Sequence, residues 1–211
     1  MDRSVFTIFL SMSLTVAFTR IVNITNPSFG VWLIFFYFVF RKISYYVADA
    51  RFSDISCDVF KQETVTERMF HLLLGVSSLF LFIVAGYYVT NPSVFFLWNA
   101  FALFINICWL VLLLILVDPE KDKNQQLQIR TMFRNFIMIN AVEIVFSLTA
   151  GLWIKCRWEW QGVNYYDLEP WVLGIGLGTL FFIMLIDFLL HKHFLFDPKY
   201  SCSGTTTNNI K

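Results

Sequence analysis

Charge is scarce in this sequence. Asp, Glu, Lys and Arg make up only 15% of its 211 residues, against about 25% in an ordinary soluble domain. Charge of one sign is lacking as well. The formal net charge is +1, so no overall field draws the chain to nucleic acid. Cysteine is thin: Cys57, Cys108, Cys156 and Cys202 show no CxxC spacing, which indicates neither a zinc site nor a redox pair. No triad, phosphate loop or metal cluster is visible. A lone central acid does not make an intramembrane hydrolase, so neither enzymatic activity nor a cofactor is expected.

What is abundant is apolar surface. The chain is 57% hydrophobic and 19% aromatic, with 25 Phe and 7 Trp. A water-soluble fold of this size could not hide that much apolar surface behind so few charges. Disorder, a disulfide-stapled secreted module and most soluble enzymes are thereby excluded. The expected class is all-α, a polytopic transmembrane helix bundle.

Apolar runs predict six spans, at about 5–24, 28–48, 69–90, 93–117, 132–154 and 170–192, arranged as three consecutive hairpins. A crossing needs about 20 residues. The second segment reaches that length only if its helix continues through Arg41 and Lys42, whose long side chains would snorkel toward the headgroups. Pro27, Pro92 and Pro170 each open a returning helix, and Pro119 and Pro198 follow helix ends, so all five prolines fall at boundaries. Thr25-Asn26-Pro27-Ser28 recurs as Thr90-Asn91-Pro92-Ser93, with Asn as the cap. Met69-Phe70-His71…Ala85-Gly86 echoes Met132-Phe133-Arg134…Ala150-Gly151, either as a weak internal repeat or by chance likeness of apolar helices. The first segment lacks a clear small-residue cleavage site and reads as a retained helix.

Thirteen of the sixteen Lys and Arg residues fall on the side of the termini and of the second and fourth connections; Arg20, Lys155 and Arg157 fall on the other. That bias predicts both termini in the cytoplasm, in a bacterial inner membrane or its equivalent. Residues 1–200 form a single helical domain in this reading, and 201–211 a flexible polar tail. The aromatic connection Lys155–Glu169 is expected to lie on the membrane interface, with a ligand platform as the alternative.

Polar groups within the spans are the functional candidates. Glu143 lies near the middle of the fifth segment, where an ionised carboxylate costs about 2.5–3.5 kcal/mol. Asn140, Glu143 and Ser147 are spaced i, i+3, i+7 and share a helical face with Phe136 and Gly151. Arg20, at a similar counted depth, is the expected partner of Glu143. Together with the polar side of helix one (Ser11, Ser13, Thr15, Thr19) these residues form either a proton or ion pathway or a static pair that locks the bundle. Asp187 is expected to clasp Arg134 near the cytoplasmic side. Asn99 and Asn106 read as helix–helix glue. His71 could sense pH, and His191 with His193 makes a poor metal site. Gly174-x-x-x-Gly178 follows no strand and reads as a helix-packing face, within the chain or between subunits, rather than a dinucleotide loop. Asn23-Ile24-Thr25 fits a glycosylation pattern but lies close to the membrane.

Two functions are compatible with these features. One is an oligomeric channel, pore or membrane-permeability effector, with its pathway between subunits of a homo-oligomer. The other is an accessory or sensor protein that binds a cytoplasmic protein partner through its basic connections, its intramembrane charges being scaffold. A secondary transporter is disfavoured by the absence of broken midplane helices. Lipid is the expected surrounding partner in every case.

Overall fold

A computed structural model describes residues 3–27, 29–59, 64–117, 123–161 and 170–196. These residues form six helices and, among them, no strand: α1 (Arg3–Val22), α2 (Phe29–Val59), α3 (Val65–Tyr87), α4 (Pro92–Leu116), α5 (Lys123–Gln161) and α6 (Pro170–Phe196). The tail from residue 201, Pro119 and Pro198, and the side chains of His71, His191 and His193 lie outside the described residues.

Among the described residues three helices are long and apolar enough to cross a membrane: α3, α4 and the Ile129–Cys156 stretch of α5. Thr7–Val22 and Gly176–Leu190 are shorter apolar stretches. Every helix also exposes large apolar side chains, among them Phe18, Phe36, Phe80, Phe104, Val145 and Phe182. Water would not tolerate such a surface, whereas lipid matches it. The chain is therefore a helical membrane protein.

Local chemistry explains where the helices start. Thr64 caps α3 in a reciprocal capping box: its hydroxyl accepts from the Glu67 amide and the Glu67 carboxylate accepts from the Thr64 amide. Asn91 caps α4, with Pro92 in the first turn. The repeated tetrapeptide does not fold alike in its two copies. Asn26 takes a left-handed backbone, φ 62°, and α2 begins only at Phe29. Asn tolerates that conformation in a turn better than most residues.

Two connections turn out to be largely helical. α2 runs without interruption through Arg41 and Lys42 to Val59, and α5 spans 39 residues, about 58 Å, reaching into both of its flanking connections.

α4 packs on α5 and α3, α1 on α3 and α2, and α6 on α2 and α5. Two glycines set the closest approaches. A Cβ on Gly86 of α3 would lie 2.9 Å from the Ser13 carbonyl oxygen of α1, and one on Gly151 of α5 would lie 3.1 Å from the Ser93 carbonyl oxygen of α4. The echoing Ala-Gly pairs thus both mark close helix crossings, the one at Gly86 too tight for a side chain without displacement of α1. Gly178 does not: among the described residues nothing lies within 4 Å of a Cβ there. Gly174 lies on α6, with its surroundings outside the described residues.

The apolar core falls into separate clusters. One gathers Ile21, Ile34, Phe38, Phe95, Phe96 and Ile154. Another joins Leu110, Leu113 and Val117 of α4 to Ile129, Met132 and Phe133 of α5. Along α4 and α5 the segments between these two clusters carry Asn99, Asn106, Asn140, Glu143 and Ser147, all buried. A polar belt is thereby sealed between apolar layers.

Candidate functional site

The belt is organised by one cation. Arg41 on α2 is 3% exposed. Its Nη1 donates to Asp187 Oδ2 on α6 at 2.7 Å, and its Nη2 donates to Asn140 Oδ1 on α5 at 2.9 Å. Nη2 also makes an ion pair with Glu143 on α5. A planar guanidinium with five donors can serve three acceptors at once, which a lysine ammonium could do only without fixed directions.

The second oxygen of Glu143 accepts from the Tyr37 hydroxyl, one helical turn before Arg41 on α2. Tyr37 is fully buried, and its ring packs edge-on against Phe95 and Phe181. Asn99 on α4 donates to the Tyr37 hydroxyl at 3.5 Å and to Ser147 Oγ at 3.3 Å. On the other side, Asn140 donates to Asn106 of α4 at 2.9 Å. Four helices therefore contribute to one connected network, with two carboxylates and one guanidinium at its centre. Both charge signs are present with hydrogen bonds on each, as burial in a low dielectric requires.

Lys42, the next residue on α2, is also buried. Its ammonium lies over the Phe82 ring of α3 and 5.2 Å from the Phe38 ring centroid. Arg41 and Lys42 thus turn into the bundle and do not snorkel toward headgroups. An arginine can stay inside when acceptors from other helices enclose it, and here α5 and α6 supply them.

Asn140, Glu143 and Ser147 do share the inward face of α5, but the cations expected beside the acids are replaced. Arg20 does not reach Glu143. It sits in the last turn of α1, its guanidinium 4.4 Å from the centroid of the Tyr87 ring, and it forms no ion pair among the described residues. Glu143 is deeper: its partners on α2 lie about 12–18 Å from Phe29 along the helix. Arg134 is exposed and does not clasp Asp187, which Arg41 holds instead. The polar side of α1 does not line the network either. Ser11, Thr15 and Thr19 are exposed, while the buried Ser13 hydroxyl donates to the Leu10 carbonyl of its own helix at 2.8 Å.

Sequence reading missed Tyr37 and Arg41 as site residues. Their i, i+4 spacing on α2, like the i, i+7 spacing of Asn99 and Asn106 on α4, is the signal that marks them as one face. Among the described residues no three His, Cys, Asp or Glu side chains converge as a metal site. Comparison of the chain with protein-family models, with curated proteins and with solved structures finds no match in any of the three.

Proposed function

We propose that this chain is a membrane-permeability protein, a channel or pore-type effector rather than an enzyme, whose gate lies inside each protomer. The observation that carries this reading is Arg41 bridging Glu143 and Asp187 in a buried belt shared by α2, α4, α5 and α6. Apolar packing would stabilise a bundle at least as well as a buried ionic cluster does. Charges retained at such depth in a membrane protein most often mark the path of an ion or proton. In this reading the Arg41 clamp keeps that path shut by holding both acids through hydrogen bonds.

The reading adopts six crossings in three hairpins, with both termini on the Lys/Arg-rich cytoplasmic side of a bacterial inner membrane or an equivalent. α2 can be a crossing despite Arg41 and Lys42 because both charges point into the bundle. Removing those two from the cytoplasmic tally still leaves eleven basic residues against three. Assembly as a homo-oligomer remains part of the proposal. The open Gly178 position and an apolar groove of about 500 Å³ between α5 and α6, lined by Val142, Val145, Phe146, Thr179 and Ile183, offer a face for a second copy.

The test is ion flux in proteoliposomes. Glu143→Gln and Arg41→Gln variants that insert normally should change flux relative to the unaltered chain. Flux identical in empty vesicles, in vesicles holding the protein and in vesicles holding either variant would end the proposal.

A second reading draws on α2 and α5 extending past their apolar stretches, α2 to Val59 and α5 from Lys123. Such helical projections suit an accessory protein that captures a cytoplasmic partner, with the belt as scaffold. Charge reversal at Lys121 and Lys123 should then abolish co-purification while the bundle stays folded.

A further inference from the structure

Arg20 is the cation that the buried belt leaves out. It stands in the last turn of α1 and stacks on Tyr87, the last residue of α3. Because α3 is a candidate crossing that ends at Tyr87, the pair lies at the rim of a span. Tyr87 is 45% exposed and contacts Tyr88 edge-on, with ring centroids 5.1 Å apart. Aromatic side chains at a span's end belong to the headgroup zone.

Arg20 lacks a counter-charge among the described residues. Its Nε is buried without a hydrogen-bond partner, and its Cζ lies over the Tyr87 ring, 4.4 Å from the centroid. Of the three connections at this end, those that follow α1 and α3, residues 23–28 and 88–91, contain no Asp or Glu, whereas 155–169 carries Glu159, Asp167 and Glu169. The stacked guanidinium is only partly buried, and its terminal amino groups suit an acceptor with two oxygens in one plane. At the rim of a bilayer the anion with that geometry is the phosphodiester of a phospholipid headgroup.

We infer that Arg20, oriented by Tyr87, is a binding site for a phospholipid headgroup phosphate on the face opposite the basic connections. The cation–ring contact holds the guanidinium in place and so limits the freedom lost on binding. The site is separate from the Arg41 belt and independent of what the belt does. It identifies α1 and α3 as the lipid-anchored pair of the bundle.

Native mass spectrometry of the full chain in detergent tests this, with phosphatidylglycerol, phosphatidylcholine and diacylglycerol as probes. Both phospholipids should be retained and diacylglycerol should not. Arg20→Gln should weaken retention about tenfold, the loss expected for one charge-assisted bidentate contact. Arg20→Lys should also weaken it, although the charge is kept, while Tyr87→Phe should retain it and Tyr87→Leu should not. Millimolar inorganic phosphate should fail to displace the lipid, since it lacks acyl chains. Equal retention by Arg20→Lys and the unaltered chain, equal binding of diacylglycerol, or displacement by inorganic phosphate would overturn the inference. If Arg20→Gln does not fold, the contrast between Tyr87→Phe and Tyr87→Leu decides it.

Discussion

Arg41 donates to Asp187 across 2.7 Å, tying α2 to α6 through side chains that are both almost wholly buried. The same guanidinium serves Glu143 on α5, so one residue fastens three helices. Loss of a shared cation differs from loss of a packed methyl group. It leaves two acids facing each other with no neutralising charge.

Arg41→Gln should therefore destabilise the bundle by about 3–5 kcal/mol, the range for stranding a buried charge. Asp187→Asn should also destabilise it. The double variant should be more stable than the sum of the two losses implies, by at least about 1 kcal/mol, because the residues share one interaction. Unfolding in mixed micelles, followed by circular dichroism, measures all three; strict additivity would show that the pair is not coupled.

The sequence made the all-helical class and the inward face of α5 legible. Composition fixes the solvent, and Asn140, Glu143 and Ser147 reveal their common face through helical spacing alone. Partner choice was not legible, because it depends on how helices rotate against one another. Arg20 and Arg41 are both arginines near apolar runs. Only the packing of α2 on α6 turns Arg41 inward, and the position of Arg20 beside Tyr87 keeps it at the rim. The connections misled for a local reason. Their polar residues form turns of helix as readily as loops, and hydropathy does not distinguish these.

The glycines should separate by environment. Gly86→Ala puts a methyl group 2.9 Å from the Ser13 carbonyl oxygen and should cost about 1–3 kcal/mol through displacement of α1. Gly178→Ala meets nothing among the described residues and should be neutral or stabilising by up to about 1 kcal/mol, since alanine favours helix. Thermal unfolding of the two variants side by side is the check. Equal loss in both would mean that Gly178 also packs closely, against a second copy.

Thr64→Ala should remove the capping box of α3 and cost about 1 kcal/mol. The cap is exposed, so the loss should remain local. Hydrogen exchange should quicken at the amides of residues 65–68 and stay unchanged at residues 80–87. Uniform acceleration along α3 would indicate instead that its first turn supports the whole helix.

The threading of the chain can be read from its own cysteines. Cys156 is exposed and ends the apolar stretch of α5, on the face expected to lie outside the cytoplasm. Cys202 belongs to the C-terminal tail and Cys57 to the basic connection, both expected inside. Single-cysteine variants in intact cells should therefore differ toward a membrane-impermeant maleimide. The variant keeping Cys156 should label at once, and those keeping Cys57 or Cys202 only after permeabilisation. Cys108 is half-buried within α4 and should label slowly in either condition. If Cys202 labels in intact cells and Cys156 does not, the orientation is reversed, and Arg20 then faces the cytoplasmic leaflet. If Cys156 and Cys202 label together, the number of crossings between them is even, and α6 does not span.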